Sequence, residues 1–272
     1  MRPAILFFII AFLLHVPAAC AFDLDVGKDL TRQEKAIALN AGAALFMTAW
    51  GVIFWDYFQT KPKFGSEDWF GQNTSNGGAD KLGHFYSAYV LSHSFSYVYE
   101  KLGYPYDEAA LYGSLSSFGL LGLVELGDAF SSTYGLSYED FIMNTLGNCV
   151  GFLTKRYPEV SRKIDLRLEY RPNTQESDIF TDYDHMKFLL AVKLDGFDFI
   201  KNNYLKYLEL HFGYYVDGYS KAPKYRSRNI YVALGLNLSK IASQFSFKKL
   251  STFFRYYQTP YTYVSTSKRL KR

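Results

Sequence analysis

Two hydrophobic patterns divide the chain near Pro158. Before that residue, long apolar segments with few charges are separated by short polar stretches rich in glycine, asparagine and proline, which is typical of helices and their connections. After it, apolar and polar residues alternate, which is typical of strands with one apolar face. The sequence therefore predicts an α+β fold, in which an apolar four-helix bundle is followed by a small antiparallel β meander.

The first predicted helix contains no charged residue between Ala36 and Trp55. Thr31 is placed to cap it, with Glu34 as the reciprocal partner of a capping box. Such a helix either spans a bilayer or lies fully buried in a protein core, and periodicity does not separate the two. The four predicted helices run from Arg32 to about Phe58, from Asp80 to about Leu102, from Tyr106 to about Phe130, and from Ser137 to about Arg156.

Three segments of the second half alternate clearly, and two more are weaker candidates for strands. The five predicted strands are Leu166–Tyr170, Lys187–Leu194, Leu208–Val216, Asn229–Ser239 and Thr252–Tyr257. Five strands are too few for a closed outer-membrane barrel. We therefore expect an open meander whose apolar face packs on the helices, on lipid or on a second copy of the chain.

Composition changes this picture in one respect, the aromatic content. Of the 272 residues, 49% are hydrophobic and 21% are charged, which excludes a disordered chain. Aromatic residues make up 19%, and amphipathic rings suit a protein that works at a membrane boundary. The net charge of +4 gives no case for a nucleic-acid partner, because the basic residues form a continuous run only at Ser267–Arg272.

The N-terminus has the three parts of a secretory signal. Arg2 supplies a positive start, Ala4 to Val16 form an apolar core, and Ala19-Cys20-Ala21 is a small-x-small cleavage site. Acylation of Cys20 is the alternative, against which Pro17 weighs. Cleavage after Ala21 leaves Cys149 as the single thiol, which excludes an internal disulfide and predicts a small buried residue. The predicted domains are residues 1–21 as signal peptide, residues 22–158 as the helical domain, and residues 159–272 as the β region with a basic C-terminal tail.

Polar and ionisable residues interrupt three of the otherwise apolar helices. Asp80 and His84 fall on one helix face, as do Asp140 and Asn144, because residues four apart are one turn apart. We expect these groups to meet Glu125 and Asp128 in one polar site inside the bundle. The candidate catalytic residues are His84, Glu125, Asp128 and Lys81, the candidate metal ligands are His84, Glu125, Asp128 and Asp140, and the candidate structural polar residues are Asp80, Asn144 and Asn148.

Each of these residues also has an ordinary structural explanation. Asp80 is placed to cap its helix, and Asp140 fits a capping box with the serine three residues before it. Lys81 is either solvated or paired with one of the acids, and His84 is otherwise a hydrogen-bonded core residue. A buried Glu125 requires a partner, because an unpaired buried carboxylate is strongly destabilising, and His84 or Lys81 would serve.

The spacing of these residues resembles a known family. The run Asp80-Lys81-x-x-His84-Phe85, then Glu125-x-x-Asp128, then Asp140-x3-Asn144-x2-Gly147-x3-Gly151 is similar to the YfiM-like family of predicted periplasmic or outer-membrane proteins of unknown function. VanZ-like membrane proteins have a similar layout, although they tend to carry Gln where Asp128 stands. The resemblance covers roughly Leu45 to Lys155. It implies a place in the envelope of a Gram-negative cell, in the periplasm or outer membrane, and it implies no established reaction.

Two functions remain open at this point. The first is a non-catalytic, membrane-associated binding or assembly module of the cell envelope, with a buried His/acid cluster that fixes helix packing. The alternative is an envelope hydrolase that acts on a lipid or cell-wall component through His84 with Glu125 and Asp128, either by acid–base catalysis or with a divalent metal held by the cluster, and the sequence leaves the cofactor open. Against the alternative, the sequence contains no known nucleophile motif and no phosphate-binding glycine loop. The expected partners are a membrane lipid surface or an envelope protein, a homo-oligomer is a further expectation, and nucleic acid is not expected.

Overall fold

The computed structural model describes residues 29–171, 180–200 and 203–271. Contacts divide the chain into two compact units. The first unit comprises the residues up to Glu67 together with Ser87–Arg156, and the second comprises Asp68–Tyr86 together with the residues from Tyr157 onward. The predicted signal peptide, with Cys20, lies outside the described residues, and the predicted domain boundary after residue 158 stays a prediction.

Helices and strands both occur, so the mixed α and β composition is confirmed. Within the described residues there are seven α-helices: α1 Arg32–Phe54, α2 Ala79–Lys101, α3 Tyr106–Ala129, α4 Tyr138–Arg156, α5 Pro158–Lys163, α6 Leu238–Gln244 and α7 Lys248–Phe253. In the first unit α3 packs on α1 and on α4. These contacts do not by themselves establish a four-helix bundle, which stays a prediction.

The beginning of α1 agrees with the sequence and its end does not. Thr31 and Glu34 form the predicted capping box. The helix ends at Phe54 rather than near Phe58, because Asp56 and Phe58 have positive φ angles of 52° and 66°. A left-handed backbone does not continue a right-handed helix. This turn places the ring of Tyr57 against the apolar interior of the first unit, where it is buried.

Glycines allow close approach between helices of the first unit. A Cβ added at Gly113 of α3 would lie 2.4 Å from the backbone nitrogen of Ser96 in α2. A Cβ added at Gly151 of α4 would lie 2.6 Å from the Cβ of Ser92. Gly151 therefore lets α4 approach α2 more closely than any side chain would allow. The prediction that Cys149 is a small buried residue was wrong, because Cys149 is exposed on α4.

Two helices of the first unit are long and apolar enough to cross a membrane, judged by length and composition alone. They are α1 and α3. Core helices pass the same test, and α3 has eleven buried residues along its length. In α1 only Ala36 and Gly51 are buried. The two helices therefore differ in how much of their apolar surface the protein itself covers.

The second unit is built on an antiparallel sheet. Among the described residues its strands follow one another in the order β3 Ile164–Tyr170, β4 Met186–Lys193, β5 Leu208–Asp217, β6 Ser227–Leu236 and β7 Tyr263–Arg269. A separate parallel pair in the first unit joins β1 Phe64–Gly65 to β2 Leu136–Ser137. The antiparallel meander is therefore confirmed.

Two strand predictions were wrong at the C-terminal end. The segment Thr252–Tyr257 is not a strand, because it contains the end of α7 and the turn that follows. The last strand is instead β7, and only its final residues, Ser267–Arg269, were expected in the basic C-terminal tail. The third clear strand ends at Leu236 rather than Ser239, since the side chain of Asn237 accepts a hydrogen bond from the backbone nitrogen of Lys240 at 3.0 Å and caps α6.

Candidate functional site

A buried carboxylate lies near the end of α3 in the first unit. Glu125 is only 2% exposed. Its Oε1 accepts a hydrogen bond of 2.8 Å from Nδ2 of Asn144, which comes from the facing helix α4. The sequence analysis proposed His84 or Lys81 as the required partner, and the first unit supplies Asn144 in this role. This contact explains why a polar asparagine stands in the middle of α4, because the side chain of Asn144 satisfies the buried acceptor of Glu125.

Three further acids lie in the same unit and act on Glu125. Burial is the main cause that raises the pKa of Glu125 to about 9, and the negative charges of Asp140, Asp128 and Glu67 raise it further, while the bond from Asn144 lowers it. A carboxylate oxygen of Glu67 lies within 4.8 Å of one of Asp140. We call Glu67, Glu125, Asp128 and Asp140 the acid cluster. Four carboxyl groups held together in this way favour bound protons or a bound cation.

Asp128 is coupled to a tyrosine that the sequence analysis did not single out. Burial raises the pKa of Asp128 to about 7, a hydrogen bond with Tyr57 lowers it, and the charges of Asp140 and Glu67 raise it again. The carbonyl oxygen of Val124, 3.1 Å from the hydroxyl of Tyr57, is a second acceptor for the single hydrogen of that hydroxyl. Burial, together with the charge and hydrogen bond of Asp128, raises the pKa of the Tyr57 hydroxyl strongly, so this group stays protonated.

The pairing of β1 with β2 explains how Glu67 reaches the acid cluster. Gly65 pairs with Ser137, so the residues just after β1 lie beside the first turn of α4. There the backbone nitrogen of Glu67 donates to Oε2 of Glu139 at 3.3 Å, and Ser66 donates to the same side chain. Burial raises the pKa of Glu139, but hydrogen bonds, led by that of Ser66, outweigh burial and lower it to about 2.

The start of α4 contains the predicted cap and a further buried amide. The backbone nitrogen of Asp140 donates to Oγ of Ser137 at 3.3 Å. One turn beyond Asn144, Nδ2 of Asn148 donates to the carbonyl oxygen of Asn144 at 2.9 Å. Within residues 29–171, 180–200 and 203–271, Oδ1 of Asn148 has no hydrogen-bond partner although it is buried.

The remaining candidates come from the start of α2 and belong to the second unit. Nζ of Lys81 lies 2.9 Å from Oδ2 of Asp80, and Lys81 is 0% exposed. Of the two alternatives for Lys81, pairing with an acid is therefore the one observed. His84 is half-buried. Its predicted pairing with Glu125 and Asp128, and its part in a metal site with Asp140, join residues of different units and stay predictions.

The second unit contains its own buried charges, on one face of the sheet. The guanidinium of Arg167 in β3 lies 2.8 Å from Oε2 of Glu209 and 3.2 Å from Oδ2 of Asp165. His211 contacts Glu209 at 2.8 Å, and Lys193 contacts Asp165 at 2.8 Å. Burial raises the pKa of Asp165, but the charges of Lys193, Arg167 and Arg255 outweigh it and lower the pKa. These groups neutralise one another, so we regard this network as structural.

Two residues of the acid cluster region were missed by the sequence analysis, Tyr57 and Glu67. Tyr57 follows a helix end whose position depends on positive φ angles, and Glu67 lies in a loop of 19 residues that the sequence analysis left without structure, Lys61–Ala79. No periodicity marks either residue. The only available signal was the pair of acids Glu67-Asp68 directly before Trp69-Phe70, in a loop otherwise rich in Gly, Asn and Ser.

Comparison with known proteins places part of the chain in an envelope context. Neither the curated proteins nor the solved structures gave a significant match. Residues 66–156, about a third of the chain, match the model of a family described as "Predicted periplasmic lipoprotein (DUF2279)". The matched segment contains all the residues proposed above as catalytic, metal-binding or structural polar residues. The chain is thus similar, over this segment, to an uncharacterised family of the periplasm, which supports a location in the cell envelope.

Proposed function

We propose that this protein is a membrane-associated binding or assembly module of the cell envelope, whose first unit contacts lipid through α1. The observation that carries this proposal is the exposure of α1. Ile37, Leu45 and Ile53 are 69%, 73% and 69% exposed, and the helix carries no charged residue after Lys35. A helix that faced water would carry polar residues on its outer side.

The packed side of α1 is also largely apolar, and its one amide, Asn40, is satisfied by donating to the hydroxyl of Tyr99 at 2.9 Å. Leu39, Ala43 and Met47 pack against a core that includes Phe95 and Leu120. Rotation of α1 about its axis would therefore not turn a polar side toward solvent. Large exposed apolar residues continue on the other helices of this unit, at Leu111, Leu115 and Leu126 of α3 and at Phe141, Ile142, Leu146 and Leu153 of α4. Apolar exposure of this extent is typical of a membrane or partner surface.

Vesicle flotation of the full chain tests the proposal. We expect the protein to float with vesicles of phosphatidylethanolamine and phosphatidylglycerol. The triple variant Ile37→Gln, Leu45→Gln, Ile53→Gln should bind about a hundredfold more weakly or worse, since burying one such side chain contributes about 1.5–3 kcal/mol. The matched control is Phe199→Gln with Tyr204→Gln, which removes two highly exposed aromatic residues of the second unit.

The outcomes separate lipid from other surfaces. Flotation that the triple variant abolishes and the control preserves supports the proposal. A wild-type chain that stays in solution as a monomer would refute it, and a stable oligomer that does not float would assign α1 to contact between copies. We propose that the membrane is the outer membrane. Separation of inner and outer membranes from cells that express the protein tests this.

A second candidate function is that of a cation-dependent envelope hydrolase. The observation in its favour is the acid cluster, since carboxylate and amide oxygens are ligands that Mg²⁺, Mn²⁺ and Ca²⁺ prefer. Glu67 and Asp140, whose carboxylate oxygens lie within 4.8 Å of each other, would hold the ion, with Asp128 and Glu125 beside them, and a bound divalent cation would supply a polarised water. The test is metal content of the purified chain by plasma mass spectrometry, beside the variant Asp140→Asn and the exposed control Asp107→Asn. Stoichiometric metal that only Asp140→Asn removes supports this candidate, and metal-free protein retires it.

A further inference from the structure

The sheet of the second unit has its polarity reversed with respect to solvent. Along β6, Tyr231 and Ala233 are buried, whereas Ile230, Val232 and Leu234 are each between 43% and 49% exposed. The buried face is the one that carries Arg167, Glu209 and His211. A sheet that faced water on one side would present its polar residues there. The apolar face is therefore made for contact with something other than water.

The exposed apolar residues are contiguous across three strands. Val232 pairs with Phe212 on β5 and with Thr266 on β7, and Leu234 pairs with Leu210 and with Val264. We call this surface the open face. A groove of about 540 Å³ lies at the Ile230 end of it and is lined by Ile230 and Val232 of β6, whereas Leu234 and Leu236 lie beyond the groove. The lining includes Leu82 and Phe85 from the start of α2, and all lining residues belong to the second unit.

Cations lie at one end of the open face. Alternation along β6 places Arg228 on the same face as Ile230, and alternation along β7 places Lys268 there too, opposite Ile230. Lys268 is exposed and lines the groove. The guanidinium of Arg228 donates to backbone carbonyl oxygens, that of Lys271 at 2.8 Å and that of Phe70. As far as the described residues go, neither Arg228 nor Lys268 forms an ion pair, in contrast to the paired cations of the buried face.

The open face is long enough to take an acyl chain. From Ile230 to Leu236 the apolar stretch of β6 is about 20 Å long at 3.3 Å per residue. The hydrocarbon of one bilayer leaflet is about 15 Å thick, half of the 30 Å core. An acyl chain laid along this stretch would bring its headgroup to the end where Arg228 and Lys268 lie. We propose that the open face binds an anionic phospholipid, with an acyl chain that runs from the groove along the exposed apolar residues of β6 and the phosphate at these two cations.

Binding of a soluble short-chain lipid to the full chain tests this proposal apart from vesicle association. The probes are dihexanoyl-phosphatidylglycerol, its phosphatidylcholine counterpart and inorganic phosphate, each followed by native mass spectrometry and calorimetric titration. We expect one phosphatidylglycerol per chain and binding at least tenfold weaker for phosphatidylcholine and for phosphate. Val232→Gln should weaken binding of phosphatidylglycerol by tenfold or more, and Lys268→Gln should do so while leaving phosphatidylcholine unaffected.

Controls keep each outcome decisive. Lys248→Gln with Lys249→Gln removes two exposed cations of the same unit and should change affinity by less than twofold. Arg228→Gln also removes hydrogen bonds of the fold, so Lys268→Gln, an exposed position, is the variant on which the proposal depends. Equal binding of both lipids, phosphatidylglycerol affinity unchanged by Lys268→Gln, or a dimer that Val232→Gln dissociates would overturn it. The α1 triple variant should retain phosphatidylglycerol binding, which separates failure here from failure of the membrane contact through α1.

Discussion

Asn144 donates a hydrogen bond of 2.8 Å to the buried carboxylate of Glu125 and thereby joins α4 to α3. The variant Asn144→Ala removes this donor, so the buried Oε1 of Glu125 loses a hydrogen bond. This loss should lower the free energy of unfolding by about 1–3 kcal/mol. The measurement is urea unfolding of the wild type and the variant at neutral pH. Thr145→Ala, on the next residue, is the control, because its hydroxyl bonds only to the preceding turn. Equal stabilities of the two variants would contradict a stabilising role for the Asn144–Glu125 bond.

The acid cluster makes stability depend on pH. The pKa of Glu125 is raised from 4.5 to about 9 and that of Asp128 from 3.8 to about 7. Between its unfolded and its folded pKa, each group binds more protons in the folded state than in the unfolded state. The stabilisation is therefore complete below about pH 4 and is lost as pH rises. The loss is complete above about pH 7 for Asp128 and above about pH 9 for Glu125. Each group contributes a slope of at most about 1.4 kcal/mol per pH unit.

Thermal unfolding from pH 5 to pH 9 measures this effect. The melting temperature should fall across the range, and Glu125→Gln should flatten the fall above pH 7, because a neutral amide does not titrate. Glu108→Gln, an exposed acid in the first turn of α3, should leave the profile unchanged. A wild-type profile that is flat or rises toward pH 9 would rule out the proton-binding form of the cluster in the isolated chain.

Gly151 is expected to tolerate no side chain. Gly151→Val would place its Cβ 2.6 Å from that of Ser92, and the overpacking should cost about 1–3 kcal/mol. At Gly119 of α3 an added Cβ meets nothing within 4 Å. Gly119→Ala is therefore the matched control, and the higher helix propensity of alanine should make it neutral or stabilising by up to about 1 kcal/mol. Chemical unfolding compares the free energies of unfolding of both variants with that of the wild type. A Gly151→Val variant as stable as the wild type would contradict the close approach of α4 to α2.

The buried network of the sheet should react strongly to loss of one partner. Arg167→Met leaves Glu209 and Asp165 without the cation that contacts both, which should cost about 3–5 kcal/mol. Arg162→Met removes a cation that pairs with the exposed acids Glu159 and Asp198, and this control should cost less than about 1 kcal/mol. Unfolding monitored by far-ultraviolet circular dichroism compares them, and a similar cost for both would refute the assignment of Arg167 as a structural centre.

The exposed thiol of Cys149 reports on the surroundings of α4. Leu146 and Leu153 are exposed near it on the same helix. If this surface contacts lipid, neither a membrane-permeant nor a charged maleimide should modify Cys149 rapidly in intact membranes, because the thiolate that both reagents attack does not form in hydrocarbon. Both reagents should react after denaturation. Peptide mass spectrometry assigns the modified cysteine, and rapid modification by the charged reagent in membranes would place this part of α4 in water.

Local patterns in the sequence were sufficient to predict most helices and the clearest strands. The capping box of Thr31 and Glu34 located the beginning of α1, and period-two alternation located β4, β5 and β6 to within a few residues. The strand β7 was missed because Tyr263–Arg269 is an edge strand, exposed nearly throughout, so it needs no apolar alternation. Thr252–Tyr257 was assigned wrongly because aromatic and β-branched residues favour a strand in isolation, while α7 packs on α6.

For the acid cluster, the sequence pointed to Glu125, Asp128, Asp140 and Asn144 because polar residues interrupted apolar helices. It could not point to Glu67 or Tyr57. Glu67 reaches the cluster only through the pairing of Gly65 with Ser137, a contact between residues 72 positions apart. Tyr57 does so only because α1 ends before it. Helix periodicity describes neighbours within one element and is silent on such contacts.

Alternation by itself determined that each strand of the sheet has one apolar and one polar face. Only the tertiary structure decided which face is covered. The polar face is the buried one because Arg167 meets Glu209, 42 positions away in the sequence, and this pair with Asp165, Lys193 and His211 neutralises the charges that burial would otherwise penalise. The apolar face, which the sequence alone left to pack on the helices, on lipid or on a second copy of the chain, is consequently the exposed one over β5 and β6.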